Sequence, residues 1–340
     1  MTAADIAEAA VLAGDEPRVT LAAVQAPVTA QLDAVRETME QVVTRDVPLL
    51  AFAARHLLAM KGKMFRPTLV LLSSAVGGGA ADRAISVAAV VELIHLATLV
   101  HDDAVDHSML RRGMPTLNSL FNDQMSVIMG DFLYSIALRE LSVDDDMAPI
   151  RVLVDVTAQM TVGELRQLST VSPLDFSEKD YELLIRAKTA SLISAACRLG
   201  AMRGAPEHAE TLAAYGDALG MVFQITDDLI DYTEASETTG KPSGLDLREH
   251  KVTLPLIAAL RTMPATDRRR VEALFEAEEP SADAVADVVA IVANSGGLDY
   301  ARRRADEYAA RARQALQSVP SGPARDALEA AIFYVMERHA

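Results

Sequence analysis

The chain has 340 residues, and 50% of them are hydrophobic, enough to bury a large core without disulfide staples. A net charge of −16, from 32 basic and 48 acidic residues, argues against nucleic acid as a partner. The single cysteine, Cys197, excludes an intrachain disulfide framework and fits a reducing compartment.

The N-terminus carries no basic region followed by an apolar one, and charge interrupts the apolar runs before about 18 residues. The expectation is a cytoplasmic protein with no signal peptide and no spanning helix. Ala195, Ala196 and Leu199 around Cys197 predict a buried small side chain rather than a reactive thiol.

Residues 1–17 are Ala-rich and acidic and read as a tail, with a single domain over 18–340. From about 18 to 60, apolar residues recur at steps of three and four (Val24, Val28, Leu32, Val35, Met39, Val42), the period of an amphipathic helix, with Pro27 in a first turn. The run from Lys61 to Pro67 interrupts the pattern, and Pro67 opens a helix that Gly77-Gly78-Gly79 ends. Helices are predicted over 82–106, 116–140, 147–169, 177–203 and 206–234, with a basic loop at 108–115 and a polar, mobile loop at 235–250. From Val252 onward shorter helices are separated at Pro264, Pro280, Gly296-Gly297 and Pro320. Arg302, Arg303, Arg304, Arg311 and Arg313 interleave with Asp306 and Glu307 and read as a solvated helix face. No useful alternating pattern appears, so the fold expected is all-α, a single-domain bundle of long helices.

Two of these helices carry the same pattern of aspartates. Asp102, Asp103 and Asp106 follow one apolar run, and Asp227, Asp228 and Asp231 follow another. Positions i, i+1 and i+4 of a helix fall within an arc of about 100°. Each triplet therefore puts three carboxylates on one face at the rim of a core. Like charges held there repel and lose hydration, so something positive should offset them. Mg²⁺ bound by one or two carboxylates plus substrate phosphates is the usual answer. The flanks of the two triplets do not otherwise repeat, so they read as two walls of one site.

Cations sit beside the structural breaks around both triplets. Lys63 and Arg66 flank a loop-to-helix entry, Arg111 and Arg112 lie in the loop after Asp106, and Lys188 interrupts an apolar helix. Lys241 and Lys251 bracket the loop after Asp231, and His95 lies about two helical turns before Asp102. Arginine suits bidentate phosphate contact and lysine a point charge. Their joint placement predicts diphosphate binding.

At these residues the chain resembles the trans-polyprenyl diphosphate synthase family over nearly its whole length. The resemblance rests on Gly62-Lys63-x-x-Arg66-Pro67, Glu92-Leu93-Ile94-His95, the two aspartate triplets, Arg111-Arg112-Gly113, Gly130-Asp131, Gly163-Glu164, Lys188-Thr189-Ala190 and Phe223-Gln224. The run Gly240-Lys241-x-x-Gly244-x-Asp246-Leu247 and Lys251-x-Thr253-Leu254-Pro255 completes it. It implies helices around a central cavity, a homodimer, and Mg²⁺ gripping an allylic diphosphate between the two triplets. By that likeness Asp102, Asp106 and Asp227 are the direct metal ligands, with Asp103, Asp228 and Asp231 in support. Arg111, Lys188, Thr189, Gln224, Lys241 and Lys251 would hold the allylic diphosphate (dimethylallyl, geranyl, farnesyl or geranylgeranyl). Lys63, Arg66, His95 and Arg112 would hold isopentenyl diphosphate. The sequence departs from the family pattern at Lys61, where a glycine is common, and at Met64, where an arginine is common.

The activity implied is head-to-tail condensation of the two diphosphates. Related readings are a terpene cyclase and a non-catalytic subunit of a two-component synthase. The growing chain should run from the first triplet toward the N-terminal end of its helix, past Thr98 and Ala97, then Ile94 and Val91. Met125, Met129, Phe132 and Leu133 are the expected facing wall. Small residues at Ala97 and Thr98, with two residues between the aspartate pair and Asp106, resemble long-chain synthases. The expected product has roughly six or more isoprene units, from the open tunnel turns, with geranylgeranyl diphosphate as the alternative. So apolar a product implies possible peripheral membrane contact at its release.

Overall fold

The structure is a computed structural model and describes residues 19–44, 48–60, 62–78, 81–144, 146–168, 173–233 and 244–338. The expected tail at 1–17 and the candidate Lys241 lie outside the described residues. A short helical turn, Leu21–Gln25, is capped by the Thr20 side chain, and Pro27 sits in a 3-10 turn that leads into the next helix. Then come α1 (Thr29–Val43), α2 (Pro48–Ala59) and α3 (Phe65–Ala75). Gly77 and Gly78 follow α3 with φ of 65° and 86°, a region open to glycine at no steric cost.

Next are α4 (Ile85–Val105), α5 (Asp123–Leu141) and α6 (Met147–Leu168). The helix expected over 116–140 is broken. Leu117–Leu120 stops at Phe121, and the extended Asn122 accepts the Met125 N–H and starts α5 afresh. The helix expected over 177–203 is α7 (Glu178–Ile185) and α8 (Ser191–Gly204), joined by a π turn over Arg186–Ala190. The long α9 (Ala209–Thr233) precedes α10 (Leu254–Leu260), α11 (Ala265–Glu276), α12 (Ala282–Asn294), α13 (Gly297–Leu316) and α14 (Pro323–Met336). Among the described residues the sheet is one antiparallel ladder, β1 (Leu110–Arg111) on β2 (Met114–Pro115).

The helix carrying the first triplet is apolar on nearly every face, and Val87, Val90, Val91, Ile94 and Ala97 are all buried. Such a helix belongs in a core. Contrary to the expectation from interrupted runs, Ala81–Val105 is long and apolar enough to cross a membrane by composition, but 67% of its most apolar window is buried inside the bundle. It packs chiefly on α5, while α9 packs on α8 and α13, and α8 packs on α3.

Several of these contacts are main chain on main chain. A Cβ at Gly200 would lie 2.0 Å from the Val70 carbonyl oxygen, and one at Gly220 would lie 2.5 Å from Ala190 Cα. Cys197 is fully buried in this core, and burial pushes its thiol up to about 12. A smaller second cluster, including Tyr232, Leu247, Leu256, Val271 and Val288, lies under α10 to α12. The arginine stretch of α13 is only in part a solvated face. Arg302 is 55% exposed, but Arg304 is 19% exposed and ion-paired with Glu178, Glu182 and Glu307.

Candidate active site

The first aspartate triplet occupies the C-terminal turn of α4, and the Asp106 N–H caps that turn on the Asp102 carbonyl at 2.8 Å. Carboxylates at the negative end of a helix dipole are unfavourable without a cation. One cation is built in. Arg112 and Gly113, with φ of 51° and 76°, form the two-residue turn that folds β1 onto β2. That turn aims Arg111 back at Asp103, its Nε donating to both carboxylate oxygens at 2.9 Å. Asp103 is buried there in an ion pair with Arg111. Asp102 and Asp106 keep the outer positions, and burial raises the Asp102 carboxyl above its usual range, with Lys188 opposing and Glu164 reinforcing.

The second triplet divides in the same way. Asp228 is buried and accepts the Tyr181 hydroxyl at 2.6 Å and Gln224 Nε2 at 2.9 Å. Burial and then Asp246 push its carboxyl well above the usual range. Asp231 accepts the backbone N–H groups of Leu245 and Asp246 at 3.0 and 3.2 Å, tying that segment to the end of α9. Asp227 lies 2.8 Å from the Arg338 guanidinium.

Among the described residues no group of three or more carboxylate, histidine or cysteine side chains is assembled to hold a metal ion, so Asp102, Asp106 and Asp227 form no closed cage. The residues nonetheless fit Mg²⁺. They are hard oxygen donors, at least one is desolvated, and Mg²⁺ completes its shell with water and substrate phosphate rather than with protein alone.

The cations fall into two groups. Lys188 and Thr189 stand in the π turn, a feature frequent at functional sites. Lys188 Nζ is 2.5 Å from Glu164 Oε1, and the Thr189 hydroxyl donates to Gln224 Oε1 at 2.8 Å. Lys251 pairs with Glu249 at 2.6 Å. These residues, apart from Glu164, line a cavity of about 510 Å³ together with Asp228 and Asp246.

The second group surrounds the loop before α3. Burial lowers the proton affinity of Arg66 and Lys63, and the buried Glu92 carboxyl is raised by desolvation against the pull of Arg66 and Arg112. His95 is kept neutral by burial and by Arg66, Arg112 and Arg111. Gly62 makes room for this cluster, since a Cβ there would lie 3.2 Å from Arg112 Nη1 and 3.5 Å from Glu92 Oε1.

A second cavity of about 400 Å³ runs from Asp102, Glu164 and Lys188 past Thr98, Ala97 and Ile94, with His95 and Arg66 on its edge. Val91, one turn below Ile94, is fully buried and is not among its lining residues. The facing wall differs from the expected one. Met125, Met129, Phe132 and Leu133 do not line the cavity; Asp131 and Tyr134 of α5 do, with Thr157, Met160 and Thr161 of α6. Asp131 and Tyr134 share one helix face, while Met129 and Leu133 share another that is packed into the core. The Tyr134 hydroxyl meets Thr157 Oγ1 at 2.7 Å across this wall.

Three site residues escape a reading of the sequence. Glu164 and Asp246 sit inside motifs already quoted, yet only the fold shows that they face Lys188 and Asp228. Arg338 carries no local signal at all.

The geometry matches known proteins. Residues 47–292 match the family model described as "Polyprenyl synthetase". The all-trans-nonaprenyl-diphosphate synthase (geranyl-diphosphate specific) of Rhodobacter capsulatus is 38% identical over 306 residues, covering 89% of this chain and 93% of that protein. Component 2 of the heptaprenyl diphosphate synthase of Geobacillus stearothermophilus is 35% identical, covering 90% of this chain and 95% of that protein. A crystal structure of a Caulobacter crescentus CB15 polyprenyl synthase, complexed with calcium and isoprenyl diphosphate, superposes with a TM-score of 0.89 at 32% identity, covering 96% of this chain and 100% of that one. With its two aspartate triplets, its π-turn lysine and a family match across most of its length, the chain belongs to the polyprenyl synthetase family.

Proposed function

We propose that this chain is a Mg²⁺-dependent trans-polyprenyl diphosphate synthase, adding isopentenyl diphosphate head-to-tail to an allylic diphosphate to make a long-chain product. One observation carries the reading: the cavity that begins between Asp102 and Lys188 continues past the small side chains of Ala97 and Thr98. Mg²⁺, when bound, supplies charge that stabilises the departing diphosphate. Lys188, Thr189, Gln224 and Lys251 orient that diphosphate, and Arg111 stands ready beside Asp103. Lys63, Arg66, Arg112 and the neutral His95 hold isopentenyl diphosphate so that its double bond faces the allylic carbon. Ile94, Ala97, Leu99 and Met160 supply the apolar part of the cavity lining, which keeps water from an allylic cation. A proton then leaves to the departing diphosphate, and no protein nucleophile is needed.

The working unit we propose is a homodimer. Val154, Ala158, Val162 and Leu165 form one exposed stripe on α6 beside the exposed Val127 and Ile128 of α5. We place the enzyme in the cytoplasm, with product release at a membrane surface favoured by Val105, Met109 and Leu110, each more than 60% exposed beside Asp106.

Assays of the purified chain test the reading. Activity should vanish with chelator and return with Mg²⁺, and an allylic diphosphate alone should give no cyclised product. Asp102→Ala and Asp227→Ala should each lose about a thousandfold in rate with the helical circular dichroism intact. His95→Ala and Arg66→Ala should raise the KM for isopentenyl diphosphate, and Lys188→Ala that for the allylic substrate. Full activity in either aspartate variant sinks the two-wall site.

A further inference from the structure

Lys188 and Thr189 depend on the register of the π turn that carries them. A π turn inserts one residue, and one residue rotates the remainder of a helix by about 100°. The turn itself is wedged between helices. A Cβ at Gly163 of α6 would lie 3.0 Å from Ala187 Cβ, and one at Gly220 of α9 would lie 2.5 Å from Ala190 Cα.

The helix that feeds the turn is held by charge. Arg304 of α13 bonds Glu182, and its Nε lies 3.3 Å from Glu178 Oε1. Glu178 also takes the Tyr300 hydroxyl and the Arg261 guanidinium, each at 2.8 Å. One turn further on, Arg186 Nη1 lies 2.5 Å from Asp217 Oδ2 of α9. Arg304 is 19% exposed and stacks over Tyr308, so water screens it far less than it screens Arg302.

We propose that Arg304, which touches no substrate, is a positioning residue for the allylic diphosphate: by gripping Glu178 and Glu182 it holds α7 in the register at which the π turn presents Lys188 and Thr189 to the cavity. This rests on the allylic role given to Lys188 and Thr189 under the proposed function.

The test is steady-state kinetics of the full chain in Mg²⁺, each substrate varied in turn, with calorimetric binding of inorganic diphosphate beside it. Arg304→Met should raise the KM for the allylic substrate about tenfold, the scale of a lost charged hydrogen bond. It should leave the KM for isopentenyl diphosphate within about twofold, and weaken Mg²⁺-dependent diphosphate binding by the larger factor. Arg304→Lys should recover most of the loss, and Arg302→Met should change nothing. Glu182→Gln should reproduce the effect, and the double variant should add little to either single one.

An equal rise in both KM values, or a lower Tm with both unchanged, overturns the proposal. Lys188→Ala in the same series separates the two failures. If it leaves the allylic KM unchanged, the site assignment fails; if it raises that KM while Arg304→Met does not, the positioning role fails.

Discussion

Arg338 lies on Asp227, with its Nη2 2.8 Å from the carboxylate and its guanidinium 4.2 Å over the Phe223 ring. The same charge depresses the proton affinity of Lys63, second only to burial. One side chain from the last described turn therefore bears on both the second aspartate triplet and Lys63 in the loop before α3. On the proposed reading a divalent cation at Asp227 would compete with Arg338 for the carboxylate. Arg338→Ala should lower the Mg²⁺ concentration for half-maximal activity by about threefold, the scale of a partly exposed ion pair. A metal titration with an unchanged midpoint would place the cation elsewhere.

Acidity offers a second check. The Asp246 carboxyl is pushed up to about 6 from an ordinary 3.8, first by burial and then by Asp231. Between those values the folded chain holds a proton that the unfolded chain has released, so stability falls as pH rises through this window. Asp246→Asn should raise the Tm of metal-free protein at about pH 7.5, removing a penalty on the order of 1–3 kcal/mol. The same change should have no effect at about pH 2.5, where both states are protonated. Thermal unfolding of the two proteins at both pH values reads the difference. A gain of equal size at both would assign it to packing instead of charge.

Product length should answer to the cavity walls. Ala97→Phe places a ring at the mouth of the 400 Å³ cavity and should shift the products to farnesyl or geranylgeranyl length. Tyr134→Ala removes the ring on the opposite wall with its bond to Thr157 and should lengthen them. Chromatography of the dephosphorylated products distinguishes the outcomes. An unchanged distribution in Ala97→Phe would show that the growing chain does not pass this residue.

Sequence periodicity is enough to place both triplets, because spacing within one helix determines the face a side chain takes. It is also enough for His95, two turns before Asp102 on the same helix. The wall opposite Ala97 is not legible in this way, because the rotation of α5 is set by its packing partners, which bury Met129 and Leu133 and turn Asp131 and Tyr134 to the cavity. The π turn is invisible for another reason: it is a shift of hydrogen-bond register that Arg186-Ala187-Lys188-Thr189-Ala190 does not encode alone. Neighbouring glycines and the ion pairs of Glu178, Glu182 and Arg186 hold it. Asn122 is different. As a cap residue ahead of Asp123 it is a readable start signal that the apolar pattern of 116–140 obscures.

The main-chain contacts at Gly200 and Gly220 have a bearing on how such an enzyme changes over generations. With missing Cβ positions 2.0 Å from Val70 and 2.5 Å from Ala190, α8 cannot slide from α3, nor α9 from the π turn, without breaking packed backbone. A lineage that needs a longer or shorter product therefore gains nothing by moving helices. What remains open to it is the exchange of single side chains along the tunnel, each tried against an unchanging frame. On the proposed reading, product length is then a trait that drifts and reverses easily, while the scaffold tolerates almost no experiment.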